Sequence, residues 1–252
     1  MLEKLPLTNV LFIDIETVRG ERSLSKMRPA HLSAWKIKAS QLMKKPQEEF
    51  EEGEFEQVYK DNAAFFAEFG KIVCISVGLI IRKGKETDLS IKLNSYYGDD
   101  EAHLLEEFAH MMAQYFNNPS RHFICGHNIK EFDIPFLCRR MVINGIKLPN
   151  LLSLEGKKPW ETAYMLDTMV LWKFGEYRSF ASLKLLTAVF DIPSPKDDID
   201  GSEVGRVYWE DEELPRIVKY CEKDVLAVIQ LVMKFKGLSL FDESNIISVT
   251  KV

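Results

Sequence analysis

The chain has 252 residues, of which 46% are apolar and 28% charged, and this ordinary globular composition excludes a disordered or fibrous protein. Its formal net charge is −5, so a polyanionic partner has to be held by a local basic surface or through bound cations.

In chain order, the first predicted element is a strand over 10–13, whose β-branched and aromatic residues indicate burial on both faces and which ends in carboxylates. A hairpin-like pair of strands follows, joined through residues 82–85. The two strands of this pair lie at 72–81 and 89–97. Helices are predicted over 99–115, 134–141, 181–189 and 214–236. Short strands are predicted at 123–125 and 164–166, and a loop over 193–205.

These elements predict a single α/β domain over residues 1–252, with one mixed sheet flanked by helices. Residues 19–70, between the first two strands, are too many for a simple connection and are predicted to form a charged helical insertion. Its first half, 19–45, carries eight basic residues against Glu21 alone, and its second half, 46–70, carries eight acidic residues against Lys60 alone.

Within the insertion, apolar residues recur at helical spacing around Trp35, which favours a buried position for that side chain. Lys36 and Lys38 flank this apolar stripe. Two interpretations of the basic half stay open: it pairs with the acidic half, or it follows a phosphate backbone.

The four cysteines show no C-x-x-C pairing and are expected to be reduced thiols. No export signal is visible, and the longest apolar stretch, over 72–81, is too short to span a bilayer. We therefore expect a cytoplasmic protein without a membrane partner.

Two acidic side chains lie together at the first predicted strand. Strand alternation places Asp14 and Glu16 on one side and their apolar neighbours on the other. Such carboxylates repel each other unless a proton or a cation intervenes, which favours a hard divalent metal. The alternative is that the strand has already ended and both acids are solvated.

A second polar group precedes the helix predicted over 134–141. Asp133 stands directly before it, so the carboxylate is either a metal ligand or a helix cap. Asn128 suits a turn after the preceding strand, and His127 is typical of a satisfied turn or core histidine.

A third group lies in the last predicted helix, where Tyr220 and Asp224 share a face. That face continues as an apolar stripe, so Asp224 requires a partner, which a metal ion or the Tyr220 hydroxyl would supply.

In order along the chain, D-x-E, N-x-x-x-F-D and Y-x-x-x-D resemble the motifs of the DEDD superfamily of 3′–5′ exonucleases, which have an RNase-H-like fold, and the tyrosine resembles the DEDDy branch. The stretch GHNIKEFDIPFL, together with LDT at 166–168 and residues 200–225, looks most like stand-alone relatives of the exonuclease domain of family B DNA polymerases. The resemblance spans about residues 8–236 outside the insertion.

The resemblance implies that Asp14, Glu16, Asp133 and Asp224 hold two Mg²⁺ or Mn²⁺ ions. It further implies that Tyr220 orients the attacking water and that Thr17 and Asn128 contact the terminal nucleotide.

Two further features favour structural roles. Asp167 precedes Thr168 after a short strand, which predicts a helix cap or a supporting position. The regularly spaced apolar residues over 180–190 favour a core position over a base-stacking surface.

The resemblance implies a metal-dependent hydrolase that removes nucleotides from the 3′ end of single-stranded DNA and releases nucleoside 5′-monophosphates. The alternatives are a 3′–5′ exoribonuclease, since no motif reads a 2′-hydroxyl, and a catalytically inert nucleic-acid-binding adaptor.

Overall fold

The computed structural model describes residues 2–84, 88–193 and 199–251. The sheet consists of the strands β1 (Val10–Arg19), β2 (Gly70–Arg82), β3 (Leu89–Tyr97), β4 (Phe123–Gly126), β5 (Met165–Asp167) and β6 (Ile246–Ser248). Their spatial order is β5-β4-β1-β2-β3-β6. Strand β2 runs antiparallel to both β1 and β3. Strand β4 is parallel to β1, β5 is parallel to β4, and β6 is parallel to β3.

Helices cover both faces of this sheet. They are α1 (Pro29–Met43), α2 (Glu54–Asn62), α3 (Glu101–Tyr115), α4 (Asp133–Ile143), α5 (Thr168–Lys173), α6 (Leu183–Val189), the short α7 (Val204–Arg206), which a π-helical turn follows, and α8 (Leu214–Phe235). The predicted fold class, a mixed sheet flanked by helices with helices inserted after the first strand, is confirmed.

Strand β1 separates two layers of core because alternate residues face opposite sides. Leu11, Ile13 and Ile15 pack with α3 and α4. Val10 and Phe12 pack instead with α8. The even-numbered positions of β1 therefore lie beneath α8, and this alternation decides where Asp14 and Glu16 are placed.

Helix α8 lies very close to the sheet at Gly78 of β2. A Cβ atom at that glycine would come within 2.7 Å of side-chain carbons of both Val225 and Ile229. Any larger residue there would push α8 away from the strands, so this glycine fixes the height of α8 above β1 and β2.

The segment between β1 and β2 has an apolar cluster of its own. Trp35 is fully buried and makes edge-to-face contacts with Tyr59 and Phe69, at centroid distances of 5.1 and 5.0 Å. Lys45 and Glu54 form an ion pair at 2.6 Å between the basic and acidic halves. The buried position predicted for Trp35 is confirmed.

Several predicted boundaries need correction. The first strand does not end at its carboxylates but continues to Arg19, because β2 pairs with β1 as far as Gly70. The helix predicted from residue 181 begins at Leu183. The sequence patterns did not predict β6 or α7, and they indicated α5 only through the helix cap predicted at Asp167. Part of the predicted 82–85 connection and of the 193–205 loop lies outside the described residues.

Candidate active site

Asp14 and Glu16 lie in the interior of β1, on the side that α8 covers. Asp14 is partly buried and Glu16 is 8% exposed. Directly after Glu16 the register with β2 shifts at a bulge. Because this bulge follows the pair, Asp14 and Glu16 keep the regular alternation that puts both carboxylates on one side.

Asp133 reaches the same place from the first turn of α4. Its side chain is 4% exposed and accepts a hydrogen bond from the backbone N–H of Ile15, at 3.2 Å. The carboxylate therefore binds the strand between Asp14 and Glu16 and does not only cap its own helix. Of the two interpretations of Asp133, the structure thus favours a position in the acidic site.

Gly126 allows β4 to come close to this strand. A Cβ atom there would lie 2.7 Å from the carbonyl oxygen of Ile13 and 2.2 Å from a methyl carbon of Ile129. The glycine before His127 in the sequence is therefore required by packing against β1.

Helix α8 brings the last two predicted residues to the site. A hydrogen bond joins Tyr220 to Asp224, and the charge of Asp224 acts on Asp14, Glu16 and Asp133 alike. The four carboxylates from β1, α4 and α8 thus share one location.

Burial and mutual repulsion set the charge of this cluster. Burial, followed by the charges of neighbouring carboxylates, raises the pKa of Asp14 and of Glu16 well above the usual range. Burial likewise raises the pKa of Asp133 to about 7. Burial and the charges of Asp224, Glu16 and Asp14 raise the pKa of Tyr220, so its hydroxyl stays protonated at neutral pH.

Cys221 is a further member of the site, which the sequence patterns did not predict. Its sulfur lies 3.4 Å from Oδ2 of Asp14 and donates a hydrogen bond to that carboxylate. Burial raises the pKa of Cys221, so the group is a thiol. The spacing of three residues from Asp224 puts both on one helix face, and this signal was available in the sequence.

The donor set fits a hard divalent cation. The carboxylate oxygens of Asp14 and Glu16 come within 4.8 Å of each other, whereas the neighbouring Cys221 is a protonated thiol and does not suit a hard cation. Within the described ranges, Asp14, Glu16 and Asp133 take part in no ion pair with lysine or arginine. Buried carboxylates that lack a basic partner are arranged as metal ligands are.

Comparison with known proteins decides the family. Residues 65–244 match the model of a family described as predicted 3′–5′ exonucleases related to the exonuclease domain of PolB. The chain belongs to this family. Asp133, Tyr220 and Asp224 lie inside the matched residues, whereas Asp14 and Glu16 precede them.

A solved structure supports the fold of this PolB-related family member. The chain is similar to the family B DNA polymerase from the hyperthermophilic archaeon Pyrobaculum calidifontis, with a TM-score of 0.52 and 16% sequence identity. The similarity covers 90% of this chain but only 24% of the polymerase chain. The RNase-H-like fold that the resemblance implied is confirmed. No curated protein matches the chain.

In this family member Asp167 and His127 have structural roles, as predicted. Asp167 caps α5 by accepting hydrogen bonds from Met169 and Val170, and it also accepts from the backbone N–H of Asn128, at 3.0 Å. The His127 ring donates from Nε2 to the carbonyl of Ala181, at 2.9 Å, and its Nδ1 lies 2.9 Å from the hydroxyl of Thr168.

The two residues that are predicted to contact a nucleotide, Asn128 and Thr17, also have structural roles within the chain. Asn128 has a positive φ of 62°, a conformation that asparagine tolerates in tight turns. Thr17 donates its hydroxyl to the carbonyl of Ala64, at 2.8 Å. Their contact with a nucleotide stays a prediction.

Among the helices that the structure describes, none has both the length and the apolar character that crossing a membrane requires. The cytoplasmic location stays a prediction.

Proposed function

We propose that this chain is a DEDDy-type 3′–5′ exonuclease that hydrolyses single-stranded DNA from its 3′ end and releases nucleoside 5′-monophosphates. One observation carries the proposal: β1, α4 and α8 bring four carboxylates together, those of Asp14, Glu16, Asp133 and Asp224. Within the described residues, Asp14, Glu16 and Asp133 form no ion pair with a lysine or an arginine.

These four carboxylates would hold two Mg²⁺ or Mn²⁺ ions. Bound divalent cations supply an acidified water at neutral pH and offset the charge that develops on a phosphate. The chain holds the ligands rigidly, because Asp133 is hydrogen-bonded to Ile15 between the two ligands of β1.

Tyr220 would position the attacking water. Its hydroxyl stays protonated, so it cannot serve as the base, but it can accept or donate a hydrogen bond. The oxygen of the water attacks phosphorus in line with the 3′ oxygen of the preceding nucleotide. The P–O3′ bond then breaks, the water oxygen remains on the phosphate of the released mononucleotide, and the leaving 3′ oxygen takes up a proton to become the 3′-hydroxyl of the shortened strand.

Thr17 and Asn128 would contact the terminal nucleotide. The Thr17 hydroxyl donates to Ala64 and keeps acceptor capacity. The backbone of Asn128 is held by Asp167, which leaves its side-chain amide to bind a sugar or phosphate oxygen.

The proposal is tested by digestion of matched 5′-labelled DNA and RNA oligonucleotides in Mg²⁺, Mn²⁺ or EDTA. We expect a ladder of shortened DNA products with either metal and none in EDTA. The Asp14→Asn variant should be inactive, and Glu106→Gln, which alters an exposed acid on α3, should match the wild type.

Three outcomes would overturn part or all of the proposal. Faster digestion of RNA than of DNA would make the protein an exoribonuclease. Binding without digestion of either strand would make it an adaptor. Undiminished activity of Asp14→Asn would place the reaction elsewhere.

A further inference from the structure

Three exposed aromatic side chains occupy the loop between α5 and α6. Phe174, Tyr177 and Phe180 are 89%, 89% and 67% exposed, and in the described ranges no large apolar side chain is more exposed than the first two. A single exposed ring is ordinary, but three within seven residues of one loop concentrate exposed aromatic surface there, which favours a binding role. We call these three residues the aromatic platform.

The core position predicted for residues 180–190 is confirmed for Ala181, Leu183, Leu186 and Phe190, which pack in a cluster with α8, and is wrong for Phe180, Leu185 and Val189. Leu186 is buried, but Phe180, Leu185 and Val189 are more than half exposed. The reason is that α6 begins at Leu183, so Phe180 precedes the helix and does not belong to its buried face.

The segment that carries the platform is locally basic, although the chain as a whole is acidic. Residues 168–190 contain Lys173, Arg178 and Lys184 against Glu176 alone. The ammonium of Lys173 lies 4.2 Å from the ring centroid of Phe180. Rings that alternate with cations are suited to a ligand that alternates apolar faces with negative charges.

The base of the platform is rigid. Trp172 stacks on Phe235 of α8 at 6.0 Å and meets Phe190 edge to face at 5.6 Å. Ala181 on the other side of the loop is buried. The exposed rings therefore project from a segment whose two ends are fixed in the core.

The platform loop is tied to the segment that carries Asn128, one of the two predicted nucleotide contacts. The hydrogen bond from His127 to the carbonyl of Ala181 joins the residue after Phe180 to the residue before Asn128. Since the carboxylates repel a polyanion, a substrate strand needs attractive contacts beyond them, and the platform offers such contacts.

We propose that the aromatic platform is a binding surface for single-stranded nucleic acid, on which bases upstream of the 3′ end stack while Arg178 and Lys184 contact phosphates. The inference rests on the proposed function for its substrate and adds a binding surface apart from the carboxylates. Stacking accepts any base, so the platform would bind strands without sequence preference.

The test measures binding separately from hydrolysis. Fluorescence anisotropy of a labelled oligothymidylate of about ten nucleotides is recorded in EDTA, where the proposed reaction is off. We expect Tyr177→Ala and Phe180→Ala each to raise Kd by roughly 5- to 150-fold, the range for loss of one stacked base. Tyr115→Ala, at a 59% exposed tyrosine on α3, is the matched control and should leave Kd unchanged.

An abasic oligonucleotide of the same length separates stacking from attraction to phosphate. It should bind the wild type more weakly than the normal strand and should no longer distinguish wild type from Tyr177→Ala. Arg178→Ala with Lys184→Ala should lower the slope of log Kd against log salt by about 0.7 for each lost contact.

Unchanged Kd in both aromatic variants, or an equal loss in Tyr115→Ala, would overturn the platform. A dimer that Tyr177→Ala dissociates, shown by analytical ultracentrifugation, would instead identify the platform as a contact between copies. If binding depends on the platform but the protein has no nuclease activity, the proposed function is refuted and the platform is not.

Discussion

At the scale of single residues, Asp14 and Asp224 have two effects of opposite sign. Each is proposed to bind metal, and each also repels the other carboxylates when no metal is bound. The same charges that the proposed activity requires therefore destabilise the metal-free protein.

Asp14→Asn and Asp224→Asn should each abolish nuclease activity while the fold survives. Both variants should melt at a higher temperature than the wild type in EDTA, because a repelling charge is gone. Mg²⁺ should raise their melting temperature less than that of the wild type. Thermal melts with and without Mg²⁺ check this, and equal stabilisation by Mg²⁺ in all three proteins would contradict the assignment.

Tyr220→Phe should lower kcat by roughly 10- to 1000-fold and change KM much less. The ring keeps its packing in this variant, and only the hydroxyl proposed to position water is lost. Steady-state kinetics on a short DNA strand measures the effect. A variant with wild-type kcat would show that Tyr220 has no part in the reaction.

At the scale of secondary-structure elements, the site depends on how closely β4 and α4 approach β1. Gly126→Ala should destabilise the protein by about 1–3 kcal/mol, because the new methyl group has no room beside Ile13 and Ile129. Urea unfolding measures this loss. Gly205→Ala is the control, since its Cβ would meet only Arg19 at 3.9 Å, and comparable losses in both variants would refute the explanation by steric clash.

The insertion helix α1 is held by its own contacts. Lys36 and Lys38 lie over the rings of Phe55 and Phe66, at 5.5 and 4.0 Å. Lys36→Glu with Lys38→Glu should therefore lower the melting temperature and leave the salt dependence of DNA binding unchanged. A salt slope reduced by about 0.7 per lysine would show instead that the helix follows the phosphate backbone.

The sequence predicted those elements whose pattern is local and periodic. The bounds of β3 were predicted correctly, and α8 was one residue shorter than predicted, because their apolar residues recur regularly. Strand β6 was missed because it has three residues and is stabilised by pairing with β3, which is distant in sequence. Likewise, the sequence could not decide the position of Asp133, because its bond to Ile15 joins elements that are distant in sequence.

At the scale of the whole molecule, the carboxylates make stability depend on pH. The folded-state pKa of Asp133, about 7, lies above its ordinary value of 3.8. Its protonated form therefore stabilises the metal-free fold fully below about pH 4, and this contribution is lost as pH rises through about 7.

In EDTA, the free energy of unfolding of the wild type, relative to Asp133→Asn, should fall between pH 5 and pH 8. Saturating Mg²⁺ should restore the wild type at pH 8, because the metal would bind the deprotonated form of Asp133. Urea titrations at both pH values provide the measurement. A relative stability that does not change with pH would show that the pKa of Asp133 is not raised.

The site draws its carboxylates from both ends of the sequence, from β1 and from α8. During synthesis on the ribosome, β1 emerges well before α8, so Asp14 and Glu16 have to wait for all the residues up to 224 before Asp224 can join them. Contacts so distant in sequence close a long loop and slow the final folding step. A nascent chain that lacks α8 therefore lacks Asp224, and the proposed nuclease becomes active only after α8 has been made.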